Sequence, residues 1–123
     1  RVVELLRDPE RGKAMGEAYS LVRRFGVAPQ VLHDVMTEGL FSAPAYKVYG
    51  KIMADEAYDN VGFTTRLALK DMSLVLAAGD MARVPLPSAS LLRDRLLAAI
   101  AHGDADRDWA VLAREQARTA GLE

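Results

Sequence analysis

The sequence predicts an all-α domain, and three observations carry that reading. Proline and glycine recur often enough to cut the chain into stretches of helical length. Within those stretches apolar residues fall at three- and four-residue steps. Alanine, a strong helix former, is frequent throughout, and no segment alternates apolar and polar residues between turn signals as a half-buried strand would.

Taken in order, a short stretch from Arg1 to Arg7 carries Val2, Val3, Leu5 and Leu6 and is expected to stop at Asp8-Pro9. A second helix from Glu10 to Phe25 places Met15, Ala18, Tyr19, Val22 and Phe25 on one face. Arg23 and Arg24 suit the negative end of its dipole, and Gly26 its C-terminal cap. Pro29 opens a third helix that ends at Gly39, with Val31, Leu32, Val35 and Met36 as its apolar face. Ser42 is placed to cap a fourth, with Pro44 in its first turn, reaching about Ala54. Residues 55 to 63 have no helical period and read as a loop.

A fifth helix, from Thr64 or Thr65 to Ala82, is apolar around most of its circumference. Arg66, Lys70, Ser73 and Asp80 form one narrow polar stripe. Such a helix is expected at the centre of the fold, with Ala77, Ala78 and Gly79 letting a neighbour approach closely. Val84-Pro85-Leu86-Pro87 makes a stiff break. Ser88 or Ser90 then opens a sixth helix, closed by His102 and Gly103, and Asp106 caps a seventh that carries Trp109, Val111 and Leu112. The result is a compact domain of six to seven helices around a buried central one.

Composition narrows the function. The chain has 123 residues, is half apolar, and carries a net charge of −1 with both signs interspersed. That length suits one domain with its own core. The charge excludes nucleic-acid or anionic-membrane binding driven by bulk electrostatics. Without cysteine there is no disulfide, no thiolate zinc site and no thiol nucleophile. No apolar run is long enough to span a bilayer and no secretory leader is visible, so a cytoplasmic location is expected.

Motif chemistry is sparse. His33 and His102 are far apart, and neither belongs to a His-Glu-x-x-His or Glu-x-x-His pattern, so no metal site is expected. His33 reads as an edge residue and His102 as a donor to helix-end carbonyls. No phosphate-binding glycine loop and no Gly-x-Ser-x-Gly elbow occur. Phe41, Tyr46 and Tyr49 fit core packing better than a cleft, and the charges after Asp104 read as a solvated face. Lys70 stands apart. A lysine on so apolar a helix must snorkel, pair with a carboxylate, or reach a solvated cleft, and Asp71 lies about 100° round the helix from it.

Gly16-Glu17-Ala18, Phe25-Gly26-Val27-Ala28-Pro29, Phe63, and the run Leu67-Ala68-Leu69-Lys70-Asp71-Met72-Ser73-Leu74-Val75-Leu76 followed by Val84-Pro85-Leu86-Pro87 resemble one known family. This is the second domain of the β-hydroxyacid dehydrogenases, which include 3-hydroxyisobutyrate dehydrogenase and tartronate semialdehyde reductase and are related to 6-phosphogluconate dehydrogenase. The resemblance covers about residues 14 to 103. It implies a helical substrate-binding and dimerisation domain over residues 14–123, preceded by a divergent helical segment over 1–13. In family members a Rossmann domain for NAD or NADP comes first, and these residues contain none.

By the same resemblance, Lys70 lies at the interdomain cleft as a cofactor-binding residue, and Phe41 and Ser42 help shape the substrate cleft. The family's catalytic lysine and asparagine fall at Arg1 and at Glu4 or Leu5, neither of the family type. Arginine does not release its proton, so no catalytic residue is assigned. The implied parent activity is NAD(P)-dependent interconversion of a small 3-hydroxy acid and its semialdehyde. The chain by itself is expected to be inactive, to hold no cofactor, and to form a homodimer. Two other readings remain. One is a non-catalytic helical self-association module. The other is a helix-turn-helix regulator, whose recognition helix, Pro29 to Glu38, would carry acids but no Arg or Lys.

Overall fold

The structure, a computed structural model, describes residues 2–39 and 42–123, with side chains from residue 13 onward. Six α-helices follow in order: α1 (Val2–Arg24), α2 (Pro29–Glu38), α3 (Pro44–Ala54), α4 (Thr65–Ala82), α5 (Pro87–Ala101) and α6 (Leu112–Thr119). A single 3-10 turn, Trp109–Val111, leads into α6. Among the described residues there is no strand, only one isolated bridge between Thr64 and Asp108. The all-α class is as the sequence predicts.

Three of the six helices begin on a proline: Pro29, Pro44 and Pro87. Proline is preorganised for the first helical position, where its missing N–H has no intrahelical partner to lose. It also displaces the expected serine caps. Ser42 lies one residue before the N-cap position, and Ser88 and Ser90 lie inside α5. Among α2 to α6 only α4 is capped by a side chain, Thr64 Oγ1 accepting from the Leu67 amide at 3.2 Å.

Two further boundaries differ from expectation. α1 runs through Asp8-Pro9 without stopping. A proline inside a helix removes one hydrogen bond and costs roughly 3 kcal/mol, which a long helix anchored on α3 and α6 can absorb. At its other end α1 closes at Arg24. Gly26 takes φ 75°, and the Val27 amide reaches back to the Val22 carbonyl at 2.9 Å. Phe25 therefore sits beyond the helix and points to solvent, while Met15 and Tyr19 are buried as expected.

The core has two lobes. Met15, Tyr19, Met53, Tyr58 and Val111 anchor one, between α1, α3 and α6. Met72, Val75, Leu92, Leu96, Trp109 and Leu112 form the other, between α4, α5 and the 3-10 turn. Tyr49 packs against both and meets Trp109 edge-on, with ring centroids 4.8 Å apart. That contact makes Tyr49 a core residue.

Close approach in the first lobe depends on Gly50, buried in the middle of α3. A Cβ there would stand 2.9 Å from His33 Cδ2 and 3.0 Å from the Tyr19 hydroxyl, and would overlap the Met15 methyl. Tyr19 donates to the Gly50 carbonyl at 3.1 Å. At Gly16, α1 and α6 meet so closely that a Cβ would lie 3.2 Å from Ala113 Cα.

The central-helix expectation needs correction. α4 buries Ala68, Asp71, Met72, Val75 and Gly79, but its opposite side is open: Leu74 is 61% and Met81 89% exposed, and Leu67, Ala77 and Ala78 are exposed as well. Gly79 does admit a close neighbour. It is the Val84–Leu86 turn, not another helix, with Leu86 Cδ1 2.7 Å from where a Cβ would stand. Apolar residues all round a helix call for cover on every side, and the described residues cover only one.

Burial raises the Tyr19 and Tyr58 hydroxyl pKa values well above the ordinary tyrosine value of 10.0, with nearby carboxylates adding to the effect. The sign follows from linkage. Both groups are held neutral in the fold, so their contribution is complete below pH 10.0 and is lost as pH rises towards their folded-state values. Stability is expected to fall steeply above that pH, with unfolding and tyrosinate absorbance rising together. Tyr58→Phe should flatten this limb relative to the parent chain.

Candidate functional site

The chemistry-bearing residues lie on three parts of the fold. On α4, Lys70 and Ser73 share the exposed face with Leu67 and Leu74. Met72 is buried, and Leu69 and Leu76 pack half-buried against the second lobe. Ser73 turns its hydroxyl back to the Leu69 carbonyl at 2.9 Å. Arg66, at the start of the same stripe, pairs with Asp106 at 3.2 Å. Lys70 makes no hydrogen bond or ion pair among the described residues. It is neither a buried ion-pair partner nor a lining residue of the two concave surfaces below. Its ammonium stands on the uncovered side of α4.

Asp71, the next residue, is the opposite case. Its side chain is buried, and Oδ2 has no hydrogen-bond partner among the described residues. An unpaired buried carboxylate oxygen is unfavourable by roughly 1–3 kcal/mol. Sequence reading treated Asp71 only as a possible partner for Lys70. The available signal was its register, three residues after Ala68 and four before Val75 on the buried face.

The proposed cleft residues are only partly visible. Ser42 is exposed just before α3. Phe41 lies outside the described residues, as does Arg1, and the side chains of Glu4 and Leu5 are likewise not described. Ser42 and Lys70 are not joined by any hydrogen bond or ion pair among the described residues. Elsewhere the described residues line at least two depressions. One, about 350 Å³, follows the α4–α5 elbow along Leu76, Asp80 and Val84–Pro87. The other, about 230 Å³, lies between α1, α2 and the end of α3, lined by Tyr19, Arg23, Gln30, Glu56 and Tyr58. In the second, Arg23 faces Glu56 at 3.6 Å and Gln30 donates to the Ala54 carbonyl at 2.9 Å, so these polar groups are engaged internally.

The charges after Asp104 do not form a solvated face. Asp104, Asp108 and Glu115 are buried, because the turn before α6 and α6 itself fold back over the domain. Asp104 is met by Arg107 at 3.1 Å, Arg118 at 3.1 Å and Arg114 at 3.6 Å. Glu115 pairs with Arg118 and with His102 Nδ1 at 2.9 Å. His102 is thus tied to a carboxylate on α6, not to the carbonyls that end α5. His33 Nε2 faces the Lys47 carbonyl at 3.2 Å, which places it between α2 and α3 as a packing residue. Among the described residues no group of histidine, aspartate and glutamate could hold a metal ion.

The loop over residues 55–64 is built around Asp108, which sequence reading passed over in favour of Asp106. Fully buried, Asp108 accepts from the Gly62 amide at 2.9 Å and the Phe63 amide at 3.2 Å through Oδ2, and from the Ala110 amide at 2.9 Å through Oδ1. The backbone completes the clasp. Thr65 N reaches the Arg107 carbonyl, Asp108 N the Tyr58 carbonyl, and Trp109 N the Phe63 carbonyl, each at 2.9 Å. This joins the start of α4 to the start of α6. The sequence analysis places the cap of the last segment at Asp106; in the fold it is Asp108 that caps the 3-10 turn before α6.

Residues 12–115 match the family described as "NAD-binding of NADP-dependent 3-hydroxyisobutyrate dehydrogenase", and the chain belongs to that family. It is 33% identical over 100 residues to the uncharacterized oxidoreductase YfjR of Bacillus subtilis (strain 168), a match covering 81% of this chain and 35% of that protein. It is 26% identical over 99 residues to the chloroplastic glyoxylate/succinic semialdehyde reductase 2 of Arabidopsis thaliana, covering 80% of this chain and 27% of that protein. The crystal structure of 3-hydroxyisobutyrate dehydrogenase (ygbJ) from Salmonella typhimurium shares the fold, with a TM-score of 0.82 and 23% identity over 92% of this chain and 39% of that one. The chain therefore spans about a third of the length of the relatives it matches. No helix among the described residues is long and apolar enough to cross a membrane.

Proposed function

We propose that this chain is the helical, substrate-side part of an NAD(P)-dependent oxidoreductase that interconverts a small 3-hydroxy acid and its semialdehyde. The observation that carries the proposal is Lys70, an exposed ammonium with no partner among the described residues, on the side of α4 that those residues leave uncovered. A nicotinamide dinucleotide, when bound, supplies the hydride acceptor or donor and brings two phosphates. Lys70 has the charge to hold such an anion, and its freedom from internal pairs suits it to that role. The described residues contain no glycine-rich turn opening a helix, so the chain offers the dinucleotide a contact rather than a cradle. Ser42 and Phe41, between α2 and α3, are assigned to the substrate cleft. No residue of this chain is assigned as the acid or base, because Arg1 keeps its proton. The relatives' printed names, an oxidoreductase and a semialdehyde reductase, support the reaction class.

The test compares Lys70→Met in two settings. In the 123-residue chain, helical content and melting should be unchanged, and calorimetry with NADH or NADPH should show no micromolar binding. In the protein that joins these residues to a dinucleotide-binding domain, the same substitution should lower kcat/KM by roughly a hundredfold, which corresponds to about 2.7 kcal/mol of lost transition-state stabilisation. Unfolding of the chain by Lys70→Met would make the lysine structural and refute the assignment.

A further inference from the structure

The depression between α1, α2 and the end of α3 has no part in the oxidoreductase reading, and two of its lining groups are unusual. Ser20 is 5% exposed and Tyr58 1%, yet neither hydroxyl makes a hydrogen bond among the described residues. A buried hydroxyl without a partner is unfavourable, so two in one small hollow point to a polar ligand that gains both bonds at once. Size narrows the class. At about 230 Å³ the hollow falls below the range of about 300–1,000 Å³ that takes drug-sized ligands. It suits a molecule about as large as an amino acid.

Its charges come as one base and one acid. Arg23 and Glu56 are the charged residues that line it, and at 3.6 Å they stand too far apart for a hydrogen bond. Their side chains are 29% and 44% exposed, so each keeps hydrogen-bonding capacity for a ligand. The helix ends divide in the same way. Pro29 and Gln30, in the first turn of α2, line the hollow, and no side chain caps that helix, so its positive end is open to an anion. Met53 and Ala54, which end α3, bring that helix's negative end. Glu56 also meets a second acid. Burial and a hydrogen bond with Glu56 raise the Glu123 pKa above the ordinary glutamate value, although Arg114 and Arg118 stand 3.6 and 4.0 Å from it. The acid side of the hollow therefore gains from an added cation.

We infer that this hollow is a binding site for a small aliphatic α-amino acid, a ligand distinct from both the hydroxy acid and the dinucleotide of the reading above. The carboxylate lies between Arg23 and the start of α2, and the ammonium meets Glu56. The Ser20 and Tyr58 hydroxyls donate to the carboxylate oxygens, and the hydrocarbon side chain packs on Pro29, Met53 and Ala113. One base beside one acid complements a zwitterion. A hydroxy acid offers Glu56 no positive charge, and a dinucleotide would bring like charge against it. The Arg23–Glu56 contact that the ligand loosens is a part-exposed pair of the kind that contributes little.

Calorimetry of the full chain with L-leucine tests this. Saturable binding with a Kd below about 1 mM is expected, and the melting temperature should rise with ligand because only the folded chain has the site. Leucic acid, with a hydroxyl in place of the ammonium, and isoamylamine, without the carboxylate, should each bind at least about tenfold more weakly. Arg23→Gln and Glu56→Gln should each weaken L-leucine by roughly tenfold or more, and Tyr58→Phe by several-fold. Circular dichroism should be unchanged in all three, since both charged side chains are part-exposed and phenylalanine keeps the ring. If Glu56→Gln disturbs the fold through its contact with Glu123, Arg23→Gln carries the charge test alone. No saturation well above that concentration, equal binding of leucic acid, or L-leucine binding undiminished by the charge variants would each overturn the inference. No residue of α4 lines the hollow, so Lys70→Met should leave L-leucine binding unchanged, and this test stands apart from that of the oxidoreductase reading.

Discussion

Asp108→Ala should lower the stability of the chain by about 4 kcal/mol, a large share of the total for a domain of this size. Three backbone amides lose their acceptor at once: Gly62, Phe63 and Ala110. Leaving a buried donor unsatisfied costs about 1–3 kcal/mol each, and Gly62, which is exposed, can recover water. The 3-10 turn also loses its cap. Asp108→Asn keeps one acceptor oxygen and should cost about half as much. The denaturant midpoint measures both, and hydrogen exchange at Gly62 and Phe63 should rise in proportion. Equal stability of the parent and Asp108→Ala would mean that the loop is held by its backbone hydrogen bonds alone.

Gly50→Val should cost about 3–4 kcal/mol, by a different route. Glycine in a helix interior is unfavourable by about 0.5–1 kcal/mol relative to alanine, so on propensity alone a substitution should stabilise α3. Packing reverses the sign. The Met15 methyl, the His33 ring and the Tyr19 hydroxyl already fill the space a side chain would need, and overpacking costs about 1–3 kcal/mol before any hydrogen bond is lost. Valine also pushes on the Tyr19 bond to the Gly50 carbonyl. Gly50→Ala, with the smaller intrusion and the propensity gain, should lose only about 1 kcal/mol. Thermal melting of the two variants against the parent separates packing from propensity.

The helices were legible because helical period and proline punctuation are local. Pro29, Pro44 and the Val84–Pro87 break mark real boundaries, and Met15 and Tyr19 fall on the buried face their spacing assigns. What failed was non-local. Whether Phe25 is the last helical residue or the first beyond the helix depends on where the Gly26 turn closes. Whether Asp106 or Asp108 caps the last segment depends on which acid meets residues 62 and 63, over forty positions earlier. Glu115 and Asp104 looked like solvent residues because their arginine partners assemble only when α5, the following turn and α6 close together. The α4 face misled in the other direction, since its apolarity is readable and the identity of what covers it is not. Lys70 was legible as an exception on an apolar helix, and the structure keeps it one.

The clasp at Asp108 also sets an order of events during synthesis. Thr65 and Arg66, in the first turn of α4, have their amides taken by the carbonyls of Arg107 and Ala105. α4 leaves the ribosome well before those carbonyls exist. Until the final fifth of these residues has been made, the helix that carries Lys70 lacks the partner that fixes its beginning, and the loop ahead of it has nothing to wrap. Domains whose closing contacts come late stay open to chaperones and proteases for longer than domains that zip up from their start. A nascent chain stalled just before Asp104 should accordingly be protease-sensitive across residues 55–66, and one stalled beyond α6 should be protected there.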